Sequence, residues 1–154
     1  MTDPVNYAYS FGDVTAGIKG PSGAASLSDK GIANEGISVE PAERVSTTYG
    51  ADGSWMHSLH KAKGGKIRVR CMKNGPINAI LGKMYNGDMA SSANTGQNVI
   101  SVRNPVVGDS WTAIGCAFVK LPTTSYSADG AVMEWEFNVG QIDGVFGTGQ
   151  PAIS

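Results

Sequence analysis

Two histidines, His57 and His60, lie three residues apart in the segment GADGSWMHSLHKAKGG, residues 50–65, and the chain contains no others. Two imidazoles at this spacing could bind one metal ion, with Asp52 as a third ligand, because zinc sites combine His, Cys and carboxylate ligands. The segment supplies no further Cys, Asp or Glu, however. We therefore predict that these histidines bind no metal.

The same segment could place a serine nucleophile, Ser54 or Ser58, beside His57. Serine catalysis also needs an orienting acid and an oxyanion pocket, and no Gly-x-Ser-x-Gly pattern is present. Glu134 and Glu136 lie two residues apart on one strand face, but beside basic residues they would stay ionised. The sequence also lacks phosphate-binding and dinucleotide fingerprints. We predict a protein without enzymatic activity and without a cofactor.

Charge is unevenly distributed along the chain, although its net value is −1. Residues 1–60 carry three basic and seven acidic side chains (net −4), residues 61–120 nine and two (+7), and residues 121–154 none and four (−4). Six of the twelve basic residues lie between Lys61 and Lys73. This cluster is either a solvated strand face with nearby compensation or a surface for an acidic partner, such as another copy. Nucleic-acid binding is only weakly indicated, because no aromatic residues are interleaved for stacking.

Length and composition favour one β-rich domain spanning residues 1–154. Charged residues make up 16% of the chain and glycine occurs 21 times, a mix typical of many strands and turns. The start, MTDPVNYAYSF, lacks the features of a secretion signal, and no apolar run is long enough to span a bilayer. We therefore expect synthesis in a cytoplasm, with Cys71 and Cys116 as buried free thiols and a disulfide as the alternative.

Segments of strand-like composition, separated by turn residues, predict about seven or eight β-strands. The segments are NYAYSF, VTAGIKG, GISVE, RVSTTYG, KIRVRCM, NVISVRN, SWTAIGCAFVKLP and GAVMEWEFNVGQID. Strict alternation gives KIRVRCM and the last segment one apolar and one charged face each. The charged faces carry Lys66, Arg68, Arg70, Glu134 and Glu136. These patterns predict a mainly β fold of two packed antiparallel sheets, as a sandwich or partly closed barrel, with one flanking α-helix.

That helix is predicted in GPINAILGKMYNG, residues 75–87. Asn74 or Gly75 can cap its start, Pro76 suits the first turn, and Gly87 suits the end. One apolar stripe at helical spacing is predicted to face the core: Ile77, Ile80, Leu81, Met84 and Tyr85. Gly82, within the helix, is predicted to mark a close packing contact.

From Tyr9 to Gly147 the chain resembles the small tail-tube proteins of contractile-tailed bacteriophages. The segments that carry the resemblance are YSFGDVTAGIKGPSG, NEGISVEPAE, GADGSWMHSLHKAKGGKIRV, GPINAILGKMYN, SSANTGQNVISV and DGAVMEWEFNVGQID. They occur in the family's order and at similar spacing, and the segment with both histidines is the most specific. One departure is Ala131, where a second glycine is expected after Asp129-Gly130.

This resemblance implies a structural subunit that folds as two β-sheets with a flanking helix and closes into hexameric rings. The rings stack into a hollow tube, and a contractile sheath surrounds this tube. A baseplate lies at one end of the tube and a tail terminator at the other. DNA passes through the lumen without specific binding. The protein would belong to the virion tail and be assembled in the host cytoplasm. The tube of a type VI-like secretion system or tail-like particle is the first alternative, and a carbohydrate- or protein-binding β-sandwich module is the second.

Within such a tube, residues 50–65 are predicted to form a protruding loop, because similar proteins use a long loop here to reach an adjacent subunit or ring. Trp55, Met56, His57, Leu59 and His60 are then predicted to contact a neighbouring copy, with a loop folded back on its own subunit as the alternative. The C-terminal segment from about residue 147 is predicted to be loosely held.

The DNA channel also constrains the basic strand, because unopposed cations in every ring would bind phosphate groups. We predict that Lys66, Arg68 and Arg70 either face the sheath or are opposed across strands by Glu134 and Glu136.

Overall fold

A computed structural model describes residues 7–28 and 32–149 of the chain, with only the backbone for residues 33–35. Within these residues, ten strands and one α-helix follow a short 3-10 helix, Phe11–Asp13. The strands are β1 (Thr15–Gly20), β2 (Gly23–Ser26), β3 (Ile32–Pro41), β4 (Val45–Tyr49), β5 (Trp55–Leu59), β6 (Gly65–Met72), β7 (Asn98–Asn104), β8 (Asp109–Phe118), β9 (Val132–Val139) and β10 (Gln141–Val145). The helix α1 (Ile77–Met89) lies between β6 and β7.

Eight of the described strands form one continuous antiparallel sheet in the order β2-β1-β7-β8-β9-β6-β3, with β10 paired to β8. Strand β8 joins the two halves, since its first part pairs with β7 and β10 and its last two residues pair with β9. Its register against β7 shifts beside Gly115, whose φ of 66° suits the bulge there. The mainly β prediction is confirmed. The two predicted sheets are continuous through β8, and the described strands do not close into a barrel.

The core lies between the two halves of this bent sheet. Inward side chains of β6 and β9 meet those of β1, β7 and β8, and all belong to one buried cluster. Phe118, at the end of β8, packs against Phe137 with ring centroids 4.7 Å apart and against Trp135 at 5.8 Å. Trp135 also donates from Nε1 to Asn78 Oδ1 of the helix at 2.9 Å, which satisfies its one polar group.

Helix α1 packs one side on this core, but its contact face differs from the predicted stripe. Ile77, Leu81 and Met84 are buried and Tyr85 is partly buried. Ile80 is 41% exposed, so its placement in the core stripe is wrong. At about 100° per residue, Ile80 lies roughly 70° from the centre of the buried face, whose fourth residue is Asp88.

Two glycines of α1 have roles opposite to those predicted. Gly82 has open space where a side chain would project, so it marks no close contact. Gly87 does not end the helix, which continues to Met89. Instead, a Cβ on Gly87 would lie 2.4 Å from the hydroxyl oxygen of Ser22. The close approach lets Ser22 donate a 3.0 Å hydrogen bond to the buried Asp88, whose other oxygen accepts from Asn98 at 2.7 Å.

Other predictions have mixed outcomes. NYAYSF was predicted as a strand, but its described part, residues 7–11, contains none, while β2 and β5 were not predicted. Cys71 and Cys116 are buried free thiols, as predicted. Most of the C-terminal segment predicted to be loosely held lies outside the described residues. In the described part of the chain no helix is long and apolar enough to cross a membrane.

Candidate assembly surface

Residues 45–59 form a β-hairpin that pairs with no other strand of the described residues, so residues 50–65 are not one long loop as predicted. Strands β4 and β5 are joined by a turn in which the Gly50 amide donates to the Ser54 carbonyl at 2.6 Å. Gly53 occupies the left-handed region at φ 89°. The Asp52 carboxylate accepts from the Ser54 amide at 3.0 Å, and this hydrogen bond is the main cause of a lowered Asp52 pKa. Asp52 therefore shapes the turn.

The two faces of this hairpin differ in polarity. Directly opposed pairs Val45–Leu59, Thr47–His57 and Tyr49–Trp55 share one face. We call Val45, Tyr49, Trp55 and Leu59 the apolar face. Ser46, Thr48, Met56 and Ser58 project from the other side. The residues predicted to contact a neighbouring copy together are thus divided between two faces, because Met56 projects from the face opposite to that of Trp55 and Leu59.

Sequence reasoning missed two residues of the apolar face, Val45 and Tyr49. The signal was present, since they alternate with Thr47 in the segment predicted as a strand. Because the histidine segment was interpreted as a loop, no cross-strand partner could be assigned to them. The structure supplies those partners, Leu59 and Trp55.

The histidines connect the two strands of the hairpin. His57 Nδ1 lies 2.7 Å from Thr47 Oγ1, and His60 Nε2 lies 3.1 Å from Ser46 Oγ. The Arg44 Nε group donates to the His60 carbonyl at 2.7 Å and closes the open end of the hairpin. In the described ranges, no three His, Cys, Asp or Glu side chains lie close enough together to hold a metal ion. Both imidazoles thus stabilise the hairpin by side-chain contacts between its two strands.

The apolar face is uncovered. Trp55 is 66% exposed, Tyr49 is 74% exposed and Leu59 is 73% exposed. Two-stranded hairpins are marginally stable in water unless a third element covers them, and contiguous apolar surface of this kind marks interaction sites. The alternative prediction, that the segment folds back on its own subunit, is contradicted by these exposures.

The basic residues of β6 are neutralised within the chain. Arg68 is directly opposite Glu136 on β9, and Arg70 is opposite Glu134. Arg68 reaches both glutamates at 3.2 and 3.4 Å and contacts Glu40 of β3 at 2.9 Å. Arg70 binds Glu134 at 3.3 Å and Lys66 binds Glu136 at 3.4 Å. This charge ladder holds three basic and three acidic residues, which confirms the predicted cross-strand opposition.

The rest of the basic cluster is divided among other contacts. Lys73 lies 3.7 Å from the centre of the Tyr126 ring and donates to the Ser125 carbonyl. Lys61 and Lys63, just after the hairpin, have no ion pair within the described residues. The cluster is therefore a compensated strand face with two free cations at one end.

This fold is similar to that of chains in an extracellular contractile injection system and in the anti-feeding prophage. One is the chain of an extracellular contractile injection system, in the PVC sheath-tube complex in the extended state, with TM-score 0.59, 12% identity and coverage of 92% of this chain and 94% of that chain. Another belongs to the anti-feeding prophage tube-terminating cap, with TM-score 0.56, 13% identity, and coverage of 95% and 96%. A third, from the anti-feeding prophage baseplate, gives TM-score 0.56 at 10% identity, with coverage of 96% and 98%. At these identities the likeness shows the fold.

The sequence defines the family. The profile of the Bacteriophage PhiTE tail tube protein family matches residues 7–147, and the chain belongs to that family. A comparison with curated protein sequences gives no match. The protein is therefore a structural tail-tube protein of a bacteriophage family, and not an enzyme.

Proposed function

We propose that this subunit forms hexameric rings that stack into the tail tube, and that the hairpin is a contact between copies. The observation that carries this proposal is the uncovered apolar face of Val45, Tyr49, Trp55 and Leu59. Burying such side chains gains free energy in proportion to the apolar area removed from water. A neighbouring copy is the partner that every subunit of a tube is certain to meet.

The geometry suits a head-to-tail contact. A ring or a helical stack requires one surface of each subunit to meet a different surface of the next. The hairpin supplies one distinctive surface, with Trp55, His57 and Leu59 on the apolar side and Met56 and His60 on the other. The described sheet also ends at β2 and β3, whose outer edges carry unpaired backbone groups. Pairing those edges with other copies would turn an aggregation liability into an assembly contact.

The charge ladder bears on the proposed passage of DNA. Each phosphate neutralised by an unpaired cation adds salt-sensitive affinity, which would hinder sliding through stacked rings. Lys66, Arg68 and Arg70 are already bound to three carboxylates of the same chain. A tube of such subunits can conduct DNA without specific binding. The proposed partners are a surrounding sheath, a baseplate and a tail terminator, with assembly in the host cytoplasm and residence in the virion tail.

Electron microscopy of purified protein tests the proposal. Wild-type subunits at high concentration are expected to form rings or tubes, whereas the Trp55→Ala, Leu59→Ala double variant should remain monomeric and folded. Tyr126→Ala is the matched control, because Tyr126 is a more exposed aromatic residue outside the hairpin. Tubes of normal length from the double variant would contradict the hairpin contact.

A second candidate function is the tube of a secretion or tail-like particle, which the fold similarity to the extracellular injection system favours. Particles purified with the sheath would distinguish the two. Packaged DNA supports the phage tail, and a protein cargo supports the secretion machine. A monodisperse monomer under all conditions would instead favour a binding module.

A further inference from the structure

The bent sheet has two outward faces, one on each half. The outward face of β3, β6 and β9 carries the charge ladder. On the other half, Ile18, Ile100 and Ala113 point into the core, so the residues that alternate with them point outward. We call this second surface the mixed face, and it carries Lys19, Val99, Arg103, Ile114, Asp143 and Val145.

The cations of the charge ladder are held by carboxylates. Each of the three has a nitrogen within 3.4 Å of a carboxylate oxygen on a neighbouring strand. Lys120 borders the same face and lines a hollow with Glu134 and Glu136, although no ion pair within the described residues joins it to them. A phosphate group at this face therefore meets cations whose charge is already compensated, next to carboxylates that repel it.

The cations of the mixed face have no such partners. Ala24 and Val99 lie directly opposite Lys19 on the neighbouring strands. The residues opposite Arg103 on β1 and β8 bear hydroxyl groups. Arg103 and Asp109 line the same groove, but no ion pair joins them in the described ranges. Both cations are thus available to a phosphate group, which would bind them in a salt-sensitive manner.

Exposed apolar side chains are also arranged differently on the two faces. On the ladder face, the exposed pair Met72 and Val132 lies at one end of β6 and β9. On the mixed face, exposed Val99, Ile114 and Val145 lie on three different strands. Because exposed apolar surface favours contact with protein, the mixed face suits a protein neighbour. The middle of the ladder face suits contact with water.

We infer that the ladder face lines the lumen of the tube and is the surface along which double-stranded DNA slides, with the mixed face turned away from the channel. The inference rests on the proposed function, in which the subunits form a tube that conducts DNA. It adds which of the two faces the DNA meets. A sliding duplex needs a wall that holds no phosphate, and ion pairs within each copy supply that wall.

Cysteine labelling of assembled tubes tests the placement. Asn138 lies on the ladder face and Thr15 on the mixed face, both are exposed, and the native thiols are buried. In tubes, Asn138→Cys should react with a small maleimide that diffuses through the lumen but lose its reaction with a polymer-linked maleimide too large to enter. Thr15→Cys should react with both reagents or, beneath a protein neighbour, with neither. Ser38→Cys supplies a second ladder position if Asn138→Cys does not assemble.

Removing one carboxylate tests the role of the ion pairs. Glu134→Gln leaves Arg70 without an ion pair in the described structure. Tubes of this variant should retain about tenfold more short linear duplex DNA than wild-type tubes in sedimentation at low salt, and lose the gain at high salt. Closed circular DNA, which has no end to enter the channel, should show no gain. Asp143→Asn, the matched change on the mixed face, should leave retention of the linear duplex unchanged.

These measurements separate the inference from the proposed function. Tubes in which the large maleimide labels Asn138→Cys, or in which Thr15→Cys reacts with the small reagent alone, would overturn the assignment of the faces and keep the tube. No gain of linear duplex by Glu134→Gln, or an equal gain of circular DNA, would also overturn it. Wild-type protein that forms neither rings nor tubes would overturn the proposed function itself.

Discussion

Strands β6 and β9 and strands β4 and β5 are both antiparallel pairs with alternating side chains, but their surroundings differ. The β6–β9 pair lies between β3 and β8, buries its apolar face in the core and neutralises its charged face with ion pairs. In the described part of the chain the hairpin has no neighbouring strand, and it buries neither face. The first pair is therefore complete within one chain. The hairpin has the same alternating pattern, but nothing in the described chain covers its apolar face. We therefore expect folding to depend on the apolar face of β6 and β9, and assembly to depend on the apolar face of the hairpin.

The largest effect is expected when the covered pair is damaged. Trp135→Ala removes a buried ring that packs on Phe118 and bonds to Asn78. It should lower the free energy of unfolding by about 3–5 kcal/mol. The matched change Trp55→Ala should alter it by only about 0.5 kcal/mol or less, as is usual at exposed sites. Urea denaturation of monomeric protein measures both, and equal losses would refute the distinction between the two regions.

For tube assembly we expect the opposite order, with a large effect of changing Trp55. Assembly measurements should also distinguish the two faces of the hairpin. Trp55→Ser is expected to raise the critical concentration about 30-fold or more, as for a central interface aromatic residue. Met56→Ser, one residue away on the opposite face, should have a clearly smaller effect. Light scattering across a concentration series compares the two variants. A larger effect from Met56 would show that the other face makes the main contact.

Burial also lowers the reactivity of the two thiols in the core, Cys71 and Cys116. Desolvation raises the pKa of Cys71 and of Cys116 to about 11, from an ordinary value of 9.0. Between pH 9 and 11 the unfolded chain loses thiol protons that the folded chain keeps, so this contribution to stability is present below pH 9 and lost as pH rises to 11. At pH 8 both thiols should react with iodoacetamide far more slowly than in denaturant, because thiolate is the reactive form.

Rapid labelling of the native protein would show that this region opens. Trp55→Cys provides the positive control, since a thiol on the exposed hairpin should react at the rate of a free cysteine. The comparison thus reports directly which of the two antiparallel pairs is covered.

The same contrast explains what the sequence could predict. KIRVRCM and VMEWEF alternate strictly, so their strands and their charged faces were identifiable from local pattern alone. WMHSL places its apolar residues at Trp55, Met56 and Leu59, which is not a period of two, and β5 was missed. Strand β2 consists of the small residues GAAS, without strong strand preference. Gly87 lies inside the helix, which continues to Met89, and its lack of a side chain leaves room for Ser22.

The hydrogen bonds of the buried Asp88 could not be predicted from local patterns, because one of their donors, Ser22, lies far away in the sequence. The importance of the hairpin, in contrast, was visible in the sequence as a cluster of large apolar residues. Its β-hairpin conformation could not be predicted from that cluster.

The smallest effect is expected at the charge ladder. Glu136→Gln removes the carboxylate shared by Lys66 at 3.4 Å and Arg68 at 3.2 Å. Because Arg68 keeps its contacts with Glu40 and Glu134, the melting temperature should fall by no more than a few degrees. The difference should shrink at high salt, since exposed ion pairs are screened. Glu43→Gln, an exposed carboxylate change outside the ladder, is the matched control.

Tube formation by Glu136→Gln decides whether the ladder belongs to the covered or the uncovered type of surface. If β6 and β9 satisfy their charges within one copy, no partner depends on Glu136, and tubes should form at nearly the wild-type critical concentration. A loss of assembly comparable with that of Trp55→Ser would mean that the ladder also faces a neighbouring subunit. The basic strand would then belong, like the hairpin, to the surface that is completed only in the tube.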